Sequence, residues 1–324
     1  MIIRARKLLC LGFIGFSMVA CLLDVRPSYG QEIWFSPRSG PGHSQDFYRL
    51  FESGAPWKKA ASHLKAFELS IQLETGASDE ELKKVIDGLR GRQVALALDM
   101  LPLTGRGDRV APNGCGFHVE GYAASLQSLS VAQHFKALGA DVVYFDMDEP
   151  LYYGHFFNGV NACHSSIDEL IADVAEKVKQ LRSQFPDVKI GDAEPIIAVT
   201  KFGLADLEKW LDAFQVATGE RLSFLRLDID WTAQWQPQVI AVAQLLKRKG
   251  VDLQVIYNGS DRDKSDEEWT SRAVANANAF EAAVKPDAVV IQSWAAYPKH
   301  VLPETDPTTM TGLINQYLSM RSLH

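Results

Sequence analysis

From residue 31 onward the chain alternates short apolar-rich runs with longer segments whose apolar positions recur at helical spacing. The short runs predict strands over 32–37, 66–74, 93–100, 141–148, 188–194, 223–230, 252–258 and 287–294. The longer segments predict helices over 78–90, 121–138, 166–185, 204–218, 237–249, 266–284 and 309–320. Ser78-Asp79-Glu80-Glu81 has capping-box spacing at the start of the first of these. No linker, low-complexity tract or charge block interrupts the pattern. Eight strands alternating with helices over residues 31–324 match the count and length of a single (β/α)8 TIM barrel. A doubly wound open sheet is the alternative. It would usually carry a glycine-rich turn after its first strand, and Pro37-Arg38-Ser39-Gly40 is not one.

Within the strands the polar residues form a second pattern. Leu69, Ile71 and Leu73 alternate with Glu68, Ser70, Gln72 and Glu74, and Leu225, Leu227 and Ile229 alternate with Arg226, Asp228 and Asp230. The outer face of a barrel strand packs on helices and has to be apolar, so the polar set is expected to face the lumen. Asp99, Tyr144, Asp146, Asp148, Asp192, Glu194, Gln254, Asn258 and Gln292 fit the same assignment. Unpartnered buried carboxylates cost several kcal/mol each. Such a lumen therefore needs water, shared protons, a cation or a substrate, and Arg226 can satisfy only one or two of its acids.

The first thirty residues stand apart. Arg4, Arg6 and Lys7 precede an apolar run from Leu8 to Leu23, and Pro27-Ser28-Tyr29-Gly30 supplies small residues before Gln31. That layout predicts a cleaved secretory signal over residues 1–30, leaving a secreted or periplasmic product. Lipid anchoring at Cys21 is the weaker alternative, because Met18 and Leu22-Leu23 fit a lipobox poorly. The segment carries four basic residues and one acidic one, so its removal takes the net charge from −7 to −10. A field of that sign repels nucleic acid. The remaining cysteines, Cys115 and Cys163, lie in polar loops and are expected to pair as a disulfide.

The most concentrated chemistry is Tyr144-Phe145-Asp146-Met147-Asp148-Glu149-Pro150, where the fourth strand meets its loop. A carboxyl there is exposed on the catalytic face of a barrel. The run resembles the superfamily of retaining barrel glycosidases, which carry Asn-Glu-Pro at this place. The resemblance implies a glycoside hydrolase with Glu149 as acid/base and Asp148 in the asparagine's substrate-binding position. That superfamily's nucleophile is a glutamate ending the seventh strand, where this chain reads Ile256-Tyr257-Asn258-Gly259-Ser260-Asp261. The run also resembles the Asp-x-Asp-x-Glu strand of chitinase-like barrels, although on a regular strand Glu149 would face away from Asp148. The partner carboxylate is therefore sought on the next two strands, in Gly191-Asp192-Ala193-Glu194-Pro195 and Leu227-Asp228-Ile229-Asp230-Trp231. Retention needs carboxyls ~5 Å apart and inversion ~6.5–9.5 Å. With strands ~4.8 Å apart, Glu194 suits the shorter gap and Asp228 or Asp230 the longer. Glu194 is the first choice, with Asp228 and Asp230 next.

Aromatic residues extend the carbohydrate reading. Trp34, Trp231, Trp235, Tyr257 and Trp294 are placed at or beyond strand ends, and Tyr152, Tyr153, Phe156 and Phe157 follow Glu149. Sugar rings stack on aromatic faces while their hydroxyls take Asp, Asn and Gln. Asp148, Trp231, Tyr257, Asn258, Gln292 and Trp294 are thus the expected substrate contacts, with Trp294 the foremost platform. Two other functions use the same residues. One is a divalent-metal-dependent sugar isomerase or hydrolase, in which Asp146, Asp148, Glu149, Asp192, Glu194, Asp228, Asp230 and His155 offer an oxygen-rich site for Ca²⁺, Mg²⁺ or Mn²⁺. The other is a non-catalytic carbohydrate-binding barrel in exopolysaccharide handling. No zinc-hydrolase signature is present, no dedicated metal site is expected, and the protein is expected to act as a monomer. His118, His155 and His164 fall in loops over the same face.

Overall fold

The structure, a computed structural model, describes residues 31–39, 44–105, 114–123 and 127–321. The expected signal segment and Cys21 lie outside the described residues. Eight parallel strands close into a barrel: β1 (Glu32–Ser36), β2 (Leu64–Leu69), β3 (Ala95–Met100), β4 (Val142–Asp148), β5 (Lys189–Pro195), β6 (Phe224–Asp228), β7 (Asp252–Tyr257) and β8 (Ala288–Gln292). Each strand pairs with its chain neighbour, and β1 closes the ring on β8 with Trp34 opposite Val290. The intervening helices are α1 (Asp79–Arg92), α2 (Gln127–Ala137), α3 (Ile167–Gln184), α4 (Leu204–Thr218), α5 (Gln236–Lys249), α6 (Asp266–Ala283) and α7 (Met310–Arg321). The fold is the expected (β/α)8 barrel, with all eight strands in their expected places.

Local chemistry sets the helix boundaries. Ser78 and Ser166 form capping boxes with Glu81 and Glu169 at the starts of α1 and α3. Gly219 and Gly250 take left-handed conformations that end α4 and α5. Among the described residues between β1 and β2 there is a 3₁₀ turn (Phe47–Phe51) and one short helix (Lys58–Ala61) instead of a full helix. Trp57 is fully buried there beside Phe35 and Phe67 and fills the place a longer helix would cover.

Two apolar regions result. The larger lies between strands and helices, and the smaller is inside the barrel, where Trp34, Ala66, Ala97, Tyr144, Phe224, Ile256, Ala288 and Val290 meet. The lumen is thus plugged by aromatics toward the strand starts. Trp34 packs against Tyr144 and Phe224 at 4.5 and 5.1 Å and is fully buried, so it is a plug residue and not a platform at a strand end.

The plug also fixes which residues of β5 face inward. The Phe224 ring lies 1.9 Å from where a Cβ on Gly191 would stand, so only glycine fits opposite it. Gly191, Ala193 and Pro195 are in register with Phe224, Arg226 and Asp228, all on the lumen side. Asp192 and Glu194 therefore face outward, contrary to the expectation that polar strand residues point in. β2 departs too. It stops at Leu69, and Ile71–Gly76 forms a helix that carries Gln72 and Glu74.

Candidate active site

Above the aromatic plug the lumen turns polar. Arg226 donates from Nη1 and Nη2 to the two Glu68 oxygens, both at 2.7 Å, from Nη1 to Asp146, and from Nε to Gln254 at 3.3 Å. It lies over the Trp34 and Phe224 rings at 5.3 and 5.4 Å. Burial disfavours its charge, but Asp146 and Glu68 outweigh that and hold the guanidinium protonated. This layer forms the floor of an open cavity of about 470 Å³ at the strand ends.

Five further acids line that cavity: Asp99, Glu120, Asp148, Glu149 and Asp228. Asp148 ends β4 on the lumen side, so on a regular strand Glu149 would turn away. Its φ of +50° breaks the strand's alternation instead, and both residues line the same cavity. The Glu149 N–H donates to Ala193 O at 3.1 Å, as a last rung of the sheet, and its carbonyl accepts from the Tyr153 N–H at 3.0 Å. A non-glycine residue held in this region costs ~1–3 kcal/mol, and such residues concentrate at functional sites.

Glu120 escapes any reading of strand ends, because it sits on the loop after β3. Gly121 brings that loop against β4: it has φ +77°, and a Cβ there would stand 2.7 Å from the Asp148 carbonyl oxygen. The Cys115–Cys163 disulfide, as expected, ties the same loop to the one after β4, and the Gly116 N–H donates to Asn161 O at 2.7 Å beside it. A hydrogen bond between Glu120 and Tyr153 raises the tyrosine's pKa further above the level set by burial.

The cavity acids perturb one another unequally. Burial first, then Asp228, Glu120, Asp192 and Asp99, push Glu149 up to about 9. Burial, followed by Glu120, Asp261 and Asp230, pushes Asp228 up to about 6, opposed by the Ile229 backbone N–H. Asp99 is raised to about 7 by burial and Glu68, with Arg226 opposing. Asp148 is raised well above its ordinary value by burial and by Asp99, Glu120 and Glu149.

The outward acids of β5 do other work. Glu194 is fully buried and accepts the Leu151 and Tyr152 N–H groups at 2.6 and 3.0 Å. It holds the start of the helical turn that follows Glu149 and does not line the cavity. Asp192 accepts from Trp210 Nε1 of α4 at 2.7 Å. Asp230 lies beyond the end of β6, is exposed, and accepts from the backbone and hydroxyl of Thr232.

The expected substrate contacts divide in the same way. Gln292 and Trp294 line the cavity, with Trp294 47% exposed. Trp231 and Asn258 line an adjoining cavity of about 520 Å³ that shares Asp228 and Trp294 with the first, and Trp231 Nε1 donates to Asn258 Oδ1 at 2.7 Å. Tyr257 faces outward, 1% exposed, with its hydroxyl on Glu281 of α6, so it is a core residue. Trp235 stacks on Phe280 in the same core. His155 bonds Ser165 O through Nδ1. Among the described residues no three His, Cys, Asp or Glu side chains converge as a metal cage would require.

No protein-family model and no curated protein matches the chain. Among solved structures, a fungal β-1,4-galactanase is similar with a TM-score of 0.53 at 10% identity, over 89% of this chain and 100% of its own. A GH10 protein from Paenibacillus barcinonensis gives 0.50 at 12% identity, over 82% of this chain and 84% of its own. The likeness is one of fold: this chain is a (β/α)8 barrel, as those proteins are. No described helix is long and apolar enough to cross a membrane.

Proposed function

We propose that the protein is an exported glycoside hydrolase, with residues 1–30 as its export signal, Glu149 as general acid and Asp228 as the ionised partner. The observation that carries this reading is that Glu149 and Asp228 line one cavity from the two strands flanking β5, where burial and neighbouring acids push them up unequally, to about 9 and about 6. Near neutral pH the first keeps its proton and the second has lost it, which is the division of labour glycoside hydrolysis requires. The residues of β5 between them are Ala193 and Pro195, whose small side chains leave room for a sugar or a water. One strand intervenes, so the spacing favours inversion of the anomeric centre. The exposed face of Trp294 and the amide of Gln292 supply stacking and hydroxyl contacts. The galactanase and GH10 likenesses agree with this reading through fold alone.

The test is release of reducing ends from a panel of soluble polysaccharides, with the anomer of the first product read by NMR. Glu149→Gln and Asp228→Asn are each expected to lower turnover by about 10²–10⁴-fold without changing the fold by circular dichroism. Full activity in Glu149→Gln sinks the assignment.

A further inference from the structure

The number of acids in the cavity goes beyond what hydrolysis needs. Arg226 is the one cationic side chain among the described residues lining it, and it is already engaged by Glu68, Asp146 and Gln254. Asp99, Glu120, Asp148, Glu149 and Asp228 face the same space with no cation opposite them. Glycoside hydrolysis uses two carboxyls, so three are left over.

A second observation points the same way from the floor. Asp146 is 3% exposed; one of its oxygens is held by Arg226, and the other, Oδ1, has no hydrogen-bond partner. Asp146 belongs to the cavity lining, and a buried carboxylate oxygen without a partner there is an acceptor awaiting a donor. A neutral sugar offers hydroxyl donors to all these groups but no compensating charge. A uronic acid would add a further carboxyl to a site whose acids already outnumber its cation. An ammonium group supplies three compact donors and a positive charge that favours the ionised form of the acids around it.

We propose that the sugar seated between Asp99, Glu120 and Asp148 carries a free ammonium group, so that the substrate class is a polymer containing unacetylated amino sugars. The inference rests on the glycosidase reading for its carbohydrate, and on the unmatched acids of the cavity for its charge. Trp294 takes the ring face at the cavity's edge, and the adjoining cavity, which shares Trp294 and Asp228, receives the next unit of the chain.

The experiment is titration calorimetry of the mature protein with three oligomer sets of equal length: glucosamine or galactosamine oligomers, their N-acetylated forms, and neutral hexose oligomers. Cleavage is followed in parallel on the same probes. Amino-sugar oligomers are expected to bind about tenfold or more tightly than the other sets, as for a hydrogen bond to a charged group. Added salt should weaken that preference, and Asp148→Asn should reduce it. Equal or tighter binding of neutral or acetylated oligomers, or binding of none, overturns the proposal. Neutral oligomers that are bound and cleaved would overturn it while leaving the hydrolase reading intact. Amino-sugar oligomers that bind without being cleaved would support it and count against hydrolysis.

Discussion

Glu149 shows how much one backbone angle can decide. In a regular strand, adjacent Asp148 and Glu149 serve opposite faces; at φ +50° they serve one cavity. Alternation along the strand cannot register this, since it carries no information about a single left-handed residue. The same cavity gives a prediction for pH. Asp228 has to be ionised and Glu149 protonated, so kcat/KM should rise as pH passes about 6 and fall as it passes about 9. A rate profile that is flat across this range would remove the acid–base assignment. Glu194 is the expected partner from sequence because it ends the strand next to Glu149. In the structure its two carboxyl oxygens accept backbone N–H groups instead.

At the scale of elements, β5 separates what the pattern shows from what it hides. Its position and length are legible from 188–194, but its facing is not. Gly191 and Ala193 look like neutral spacers between acids, yet they face the lumen because the Phe224 ring needs the room. Gly191→Ala is expected to destabilise the barrel by about 1–3 kcal/mol, read as a lower urea midpoint. The overrun of β2 has a different cause. Ile71 and Leu73 continue a period-two pattern, but they are buried on the helix Ile71–Gly76. Glu120 is illegible for a third reason: it reaches the cavity from a loop, positioned by Gly121 and by the bridge between Cys115 and Cys163. Breaking that bridge by Cys115→Ser is expected to cost about 2–4 kcal/mol in thermal or denaturant unfolding. The eight strands and seven main helices are readable because hydrophobic burial dictates their periodicity. The site departs from that periodicity where single residues answer to local packing.

For the whole molecule, the acids at the barrel mouth oppose the fold at high pH. Glu149, Asp99 and Asp228 titrate at about 9, 7 and 6 in the folded protein. Glu74, 2% exposed, is also raised by burial and by Asp99 and Glu68. Each group binds its proton more tightly folded than unfolded. Their contribution to stability is therefore fully present below the unfolded carboxyl values and is lost as pH rises through about 6, 7 and 9. The thermal midpoint should be higher at pH 5 than at pH 8, and Asp99→Asn should narrow that difference. A midpoint that climbs from pH 5 to pH 8 would contradict this. The disulfide has a practical consequence for anyone preparing the protein. The barrel core contains neither cysteine, so material made in a reducing cytosol should fold and purify normally while its Glu120 loop stays untethered. Such a sample would keep the secondary structure of the barrel, lose the bridge's share of unfolding stability and still give a misleadingly weak assay, so the oxidation state of the preparation has to be checked before any substrate is ruled out.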